Sequence, residues 1–168
     1  AISPDGRRIA FVHDPSPRKV AGNPLAIAEL DLATRRIAAL TGDPAWSYDA
    51  PCYGPDGKLA CIAANVGLRH TMPGRIALWQ GGTRWKILGG RWDCDAEAPL
   101  RWSADGRSIL FTAEERGRKP LWRLDLASES FTVAVQGGCV QGFDLAGPAG
   151  DETVVVAQIT AADHEAEE

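Results

Sequence analysis

The sequence predicts an all-β fold: an open arc of β-propeller built from four-stranded antiparallel blades, about three blades plus part of a fourth. Three observations carry that expectation. A four-residue turn recurs as Ser3-Pro4-Asp5-Gly6, Gly54-Pro55-Asp56-Gly57 and Ser103-Ala104-Asp105-Gly106, with a degenerate copy at Gly147-Pro148-Ala149-Gly150. The first residues of the copies lie 51, 49 and 44 positions apart, and a propeller blade takes about 40–50 residues. No stretch has the 3.6-residue apolar period of an amphipathic helix.

In the tetrad, proline sets φ for the first central position, aspartate bonds back to the local backbone, and glycine takes the left-handed position. A short β-prone run comes after each copy: Ile9 to Val12, Leu59 to Ala63, Ile109 to Thr112 and Val154 to Ile159. Turn and run together read as a hairpin. Tyr53 and Trp102, just ahead of two of the turns, are placed on the innermost strand and between adjacent blades. A third strand is read at Leu25 to Leu32, Arg75 to Trp79 and Leu121 to Leu126. There Glu29-Leu30-Asp31-Leu32 and Arg123-Leu124-Asp125-Leu126 alternate polar with apolar, as half-buried strands do. A fourth is read at Arg36 to Leu40, Trp85 to Leu88 and Phe131 to Val135, joined through Ala33-Thr34, Gly81-Gly82 and Ala127-Ser128. Four strands per unit make a blade.

The units run approximately over 1–46, 47–95, 96–140 and 141–160, and an acidic tail occupies 161–168. The first lacks most of its inner strand and the last its outer two. The chain opens on Ala1-Ile2-Ser3-Pro4 with no initiator methionine, its one Met being Met72. It therefore reads as a segment of a larger ring, whose terminal blades need closure or a cap.

The 168 residues are 45% apolar and 24% charged, ordinary values for a globular protein. A net charge of −4 argues against a nucleic-acid partner. No apolar run approaches the length of a membrane span, and no N-terminal signal is visible. Cys52, Cys61, Cys94 and Cys139 include no Cys-x-x-Cys pair, so zinc and redox spacings are missing. Cys52 and Cys61 flank a tight hairpin, but the register sets Cys52 opposite Ala60 and favours free thiols. The compartment stays open, with the cytoplasm slightly favoured over the periplasm.

The run from 91 to 126 carries a resemblance. Arg91-Trp92-Asp93 precedes Leu100-Arg101-Trp102-Ser103-Ala104-Asp105-Gly106, then Ala113-Glu114-Glu115-Arg116-Gly117-Arg118 and Pro120-Leu121-Trp122-Arg123-Leu124-Asp125-Leu126. This order, with Ala39-Leu40-Thr41 ending a blade, resembles the N-terminal propeller of the prolyl oligopeptidase family of serine peptidases. The dipeptidyl-peptidase and acylaminoacyl-peptidase branch is the nearest match. The tetrad with its adjoining strand is shared with other propellers, including the TolB type. The second tetrad has Gly54 for serine, and the fourth Ala149 for aspartate.

The resemblance implies that catalysis belongs to a C-terminal α/β-hydrolase domain with a Gly-x-Ser-x-Gly elbow, a motif missing from these residues. His13, His70 and His164 are read in loops or the tail. No residue is assigned a catalytic, cofactor-binding or metal-ligating role. Glu114-Glu115 resembles an acidic pair that holds substrate amino termini in some dipeptidyl peptidases, but it comes after a strand and reads as a solvated loop. Asp93-Cys94-Asp95 with Glu97 lacks the glycine-centred loop of a calcium site and reads as an inter-blade loop. Trp46, Trp79, Trp85, Trp92, Trp102 and Trp122 spread over the blades as packing residues, Trp46 and Trp92 lying nearest an axial face. Arg116-Gly117-Arg118-Lys119 is a basic hairpin tip too small to anchor a nucleic acid.

The expected function is that of a non-catalytic segment restricting access to a peptidase for short peptides. Its partner would be the hydrolase domain of the same full-length chain, with self-association through open blade edges. The alternative is a TolB- or WD-repeat-like binding scaffold with no enzyme attached. A sugar-active propeller fits less well, because its turn motifs differ and a lyase needs a histidine-rich metal site.

Overall fold

The computed structural model describes residues 1–18, 22–67, 72–90, 92–147 and 153–160, the last six by backbone alone. None of these is helical. Thirteen strands form four successive antiparallel sheets. The first holds β1 (Arg8–His13), β2 (Ala26–Asp31) and β3 (Ile37–Ala39). The second holds β4 (Trp46–Tyr53), β5 (Leu59–Asn65), β6 (Arg75–Trp79) and β7 (Trp85–Ile87). The third holds β8 (Ala96–Trp102), β9 (Ser108–Ala113), β10 (Leu121–Asp125) and β11 (Phe131–Val135). The fourth is the pair β12 (Cys139–Ala146) and β13 (Thr153–Thr160). Of an inner strand in the first sheet only the bridge between Ile2 and Ile9 is present.

Two tetrads are near copies in atomic detail. The Ser3 hydroxyl donates to Asp5 Oδ1 at 2.6 Å, and Ser103 does the same to Asp105 at 2.6 Å. Each serine Oγ accepts the N–H five residues on, from Arg8 and Ser108, at 2.9 Å. Each aspartate accepts the N–H two residues on, from Arg7 and Arg107. Both serines are buried, so these bonds satisfy hydroxyls that water does not reach. In the second copy Asp56 still accepts from Lys58 N–H at 3.1 Å, but Gly54 has no hydroxyl to contribute. The reason is steric: a Cβ there would lie 2.8 Å from the Trp102 ring of the next sheet. Of the fourth copy only Gly147 is described.

Alternation along each central strand decides which neighbour it packs against. Leu59, Cys61 and Ala63 join Ala10, Ile27 and Leu40 between the first two sheets, whereas Ala60 joins Ile109, Phe111 and Ala113 between the second and third. Leu110 turns the other way, onto Val140 and Phe143. Every residue of β9 is buried, which is why it reads as an unbroken apolar run. Tyr53 and Trp102 do lie between blades, Tyr53 donating its hydroxyl to Glu29 and Trp102 its indole N–H to Cys52 O at 3.0 Å. Cys52 pairs with Ala60, and all four cysteines are free.

The same two-bond clamp recurs at each junction. Tyr48 N–H donates to Leu25 O at 3.0 Å, Ala96 N–H to Gly74 O at 3.0 Å, and Val140 N–H to Lys119 O at 2.8 Å. The acceptor residue's own N–H returns to the incoming strand: Leu25 to Ser47 Oγ, Gly74 to Asp95 Oδ1, and Lys119 to Gly138 O. Inner strands are also bulged in mid-course, β4 between Asp49 and Cys52 and β8 between Glu97 and Arg101. Each bulge holds an Ala-Pro pair, and proline suits an edge strand because it leaves no N–H to be paired.

Gly54→Ser is expected to cost about 1–3 kcal/mol of stability through overpacking. Trp102→Phe in the same chain should return part of that cost. Equal losses in both backgrounds on urea unfolding would show that the indole does not set the residue.

The tetrad carboxyls of Asp5 and Asp105 are held below their ordinary value of 3.8, first by the serine hydroxyl and then by the backbone N–H. A depressed folded pKa adds stability that is present above the unfolded value and lost as pH falls through the folded one. The thermal midpoint should therefore fall as pH drops below about 4. Asp105→Asn should start lower at neutral pH and show a shallower acid slope; an unchanged slope would remove the tetrad from the acid transition.

Candidate functional site

By connectivity, the tetrads and the third-to-fourth-strand turns share one end of each blade, and the remaining links share the other. The first end is spent on turn chemistry. Asp31 Oδ1 accepts from both the N–H and the hydroxyl of Thr34, at 2.7 and 2.9 Å. Asp125 Oδ1 accepts from the N–H and hydroxyl of Ser128, each at 2.8 Å. The next residues along, Arg35 and Glu129, then adopt φ of 56° and 54°. The repeated Asp-Leu-Ala-Thr/Ser string at 31–34 and 125–128 is the sequence signal for this device.

At the opposite end the links leave open space. Where the link between the second and third sheets crosses the third, a cleft of about 550 Å³ is lined by Trp92, Asp93, Cys94, Glu115, Trp122 and Phe131, with Gly89, Gly90 and Glu129. Trp92 stacks on Phe131 with centroids 4.5 Å apart and planes at 13°, and meets Phe111 and Trp122 edge-on. Phe131 lies over Gly89, where a Cβ would sit 2.2 Å from its Cζ. Arg75 Nη2 donates to Gly89 O and Gly90 O behind the loop, at 3.1 and 2.8 Å. Glu129 is occupied by Lys86 at 2.6 Å and by Gly89 N–H. The indole N–H of Trp92 is buried without a hydrogen-bond partner. Burial pushes the Cys94 thiol up, and the carboxylates of Asp93 and Glu115 push it further.

The residues singled out in the sequence are dispersed over several settings. Glu114 and Glu115 are exposed, and the chain turns back between Glu115 and Arg118 through Arg116 and Gly117, both at positive φ. A second open pocket, near 600 Å³, lies under Arg116 and Arg118 against Val133 and Gln136. Asp95 and Glu97 are used structurally, Asp95 in the clamp and Glu97 on Lys119 at 2.7 Å. No group of three or more His, Cys, Asp or Glu side chains among the described residues could hold a metal ion. His13 is not in a loop but ends β1, its ring centroid 6.0 Å from that of Phe11, because the strand runs one residue further than its apolar pattern. His70 and His164 lie outside the described residues, as do Arg91 and the acidic tail.

The tryptophans divide by the fate of the indole N–H. Trp85 donates to Leu40 O at 2.8 Å across the first junction, and Trp102 spans the second. Trp79 and Trp122 bond within their own sheets, to Gly82 O and Ala113 O. Trp46 is the first residue of β4 and lines a smaller pocket, about 250 Å³, with Pro15, Pro24 and Pro44. Sequence reasoning sets Trp46 and Trp92 apart, but it does not bring Trp92, Trp122 and Phe131 into one cleft. Their separation of up to 39 positions hides that meeting.

Successive four-stranded antiparallel sheets clamped edge to edge in this way define a β-propeller arc. No protein-family model matches the chain, and no curated protein does. Among solved structures it is similar to TolB from Acinetobacter baumannii, with a TM-score of 0.61 at 21% identity, covering 94% of this chain and 40% of that one. It is similar also to a putative TolB from Agrobacterium tumefaciens, with a TM-score of 0.58 at 22% identity, covering 84% of this chain and 46% of that one. A puromycin hydrolase matches at a TM-score of 0.40 and 14% identity, over 91% of this chain and 32% of that one. The chain thus spans less than half the length of the propeller proteins it matches, and the likeness establishes the fold.

Asp95→Ala removes a charged acceptor from the Gly74 N–H and is expected to cost about 1–3 kcal/mol. The loss should be the same in calcium and in EDTA. A calcium-dependent melting temperature in the parent chain, abolished by the substitution, would instead make Asp95 a ligand.

Proposed function

We propose that this chain is the non-catalytic, access-restricting propeller segment of a prolyl oligopeptidase family serine peptidase acting on short peptides. Its partner is the C-terminal α/β-hydrolase domain of the full-length protein. The observation that carries the reading is the ordered string from Trp92 to Leu126. Its parts converge in the third sheet and its incoming link: Trp102 closes the junction, Trp92 packs in the cleft, and the Glu115–Arg118 hairpin overhangs it. Ser103 and Asp105, although 2.6 Å apart, are a turn rather than a nucleophile and its base. The hydroxyl is buried and already accepts the Ser108 N–H, so no substrate carbonyl could reach it. Such a segment contributes walls and loops, and the hydrolase contributes the serine.

A second reading, a TolB-like binding scaffold with no enzyme attached, is favoured by the TM-scores of 0.61 and 0.58 to TolB chains. The two readings differ in the domain they require downstream of Glu168 and in the activity of the full-length protein. Under the first reading the full-length product cleaves short chromogenic peptides, and replacing the serine of a downstream Gly-x-Ser-x-Gly elbow lowers kcat by at least about 10³-fold. Further blades with no such elbow, and no turnover of peptides, would establish the scaffold instead.

A further inference from the structure

The cleft beside Trp92 combines three features that point to one ligand chemistry. Trp92, Trp122 and Phe131 give it aromatic walls, fixed by stacking and edge contacts. Its charged lining is wholly acidic among the described residues: Asp93, Glu115 and Glu129. The nearby cations are committed elsewhere, Lys86 to Glu129 and Arg75 to the carbonyls of Gly89 and Gly90. Asp93 and Glu115 are therefore left exposed at the mouth with no ion pair among the described residues. The raised Cys94 thiol lies in their combined field, which independently marks the mouth as electronegative.

We propose that this cleft binds a guanidinium group, held flat against the aromatic wall and paired with the carboxylates of Asp93 and Glu115. A planar, weakly hydrated cation gains from an aromatic face and from bidentate carboxylate contact together, whereas an ammonium is a compact, strongly hydrated point charge. A neutral isostere of the same shape gains neither charge term. The assignment stands on the cleft alone and holds whether or not a hydrolase accompanies the chain. The guanidinium could arrive on a free guanidino compound or on an arginine of a peptide, and the two sources are separable.

Tryptophan fluorescence of the 168-residue chain, titrated with N-acetyl-arginine amide, should change saturably. The citrulline analogue, isosteric and uncharged, should leave it unchanged at the same concentrations, and N-acetyl-lysine amide should bind more weakly. Glu115→Gln and Asp93→Asn alter exposed side chains, so folding is retained and checkable by circular dichroism. Each should weaken binding by roughly fivefold, and raised salt should weaken it further. Tighter binding of an arginine-containing tetrapeptide than of the amide would assign the site to peptides; equal binding would assign it to free guanidino compounds. A response equal for citrulline and arginine, no saturable response at all, or full affinity in the doubly substituted chain would overturn the proposal.

Discussion

The arc rests on a pair of backbone-level hydrogen bonds that ties the start of each inner strand to the residue preceding the third strand of the blade before. Leu25, Gly74 and Lys119 each accept from the next blade and donate back to it. Two bonds on one residue fix both the distance and the rotation between sheets, which apolar packing alone leaves free to slide. Once that rotation is set, alternate residues of β5 and β9 point at opposite neighbours, and each strand serves two cores. The ring lock of Trp102 and the Lys86–Glu129 pair span a junction the clamp has already aligned.

The clamp also explains local sequence that otherwise looks arbitrary. At Gly74 a Cβ would come within 2.7 Å of Ile62 and 3.0 Å of the Asp95 carboxylate, so only glycine lets the two bonds form at that junction. Elsewhere Leu25 and Lys119 make the same backbone contacts with full side chains. The repeated feature is therefore the bond pair and not a residue type. The same logic governs Gly54, where the next blade's indole occupies the volume that Ser3 and Ser103 give to their hydroxyls.

Range along the chain decides how much of this was legible in the sequence. Tetrads, hairpin links and β-prone runs are local, and their strands fall within a residue or two of their expected positions: Leu121 to Leu126 becomes Leu121–Asp125, and Arg36 to Leu40 shortens to Ile37–Ala39. Leu40 and Leu88 leave the ladder yet stay buried, since they continue the chain into the junction. The clamp was not legible, because its members lie about 20 positions apart and two of its three junctions use backbone or serine rather than a distinctive side chain. Nor was the cleft. Its aromatics read as ordinary packing residues, which they are on one side, and only the fold shows that the other side stays open.

A division of labour between the two ends of the blade bears on function. At the tetrad end, Asp5, Asp31, Asp105 and Asp125 are all pulled below their ordinary value by bonds made within a few residues. Carboxylates stabilised in this way are poor bases and already have partners, so that end can hold a shape but offers little to a ligand. At the link end the turns are longer and carry Pro15, Pro24, Pro44, Trp46, Trp92 and the 115–118 hairpin, and the pockets gather there. A blade needs only its clamp and its alternating strands to stand, which leaves the links free to vary in length and chemistry. The surface on which partners of one propeller differ from those of another is then the link end. In this chain its most differentiated point is the junction between the second and third sheets, where an aromatic wall meets exposed carboxylates.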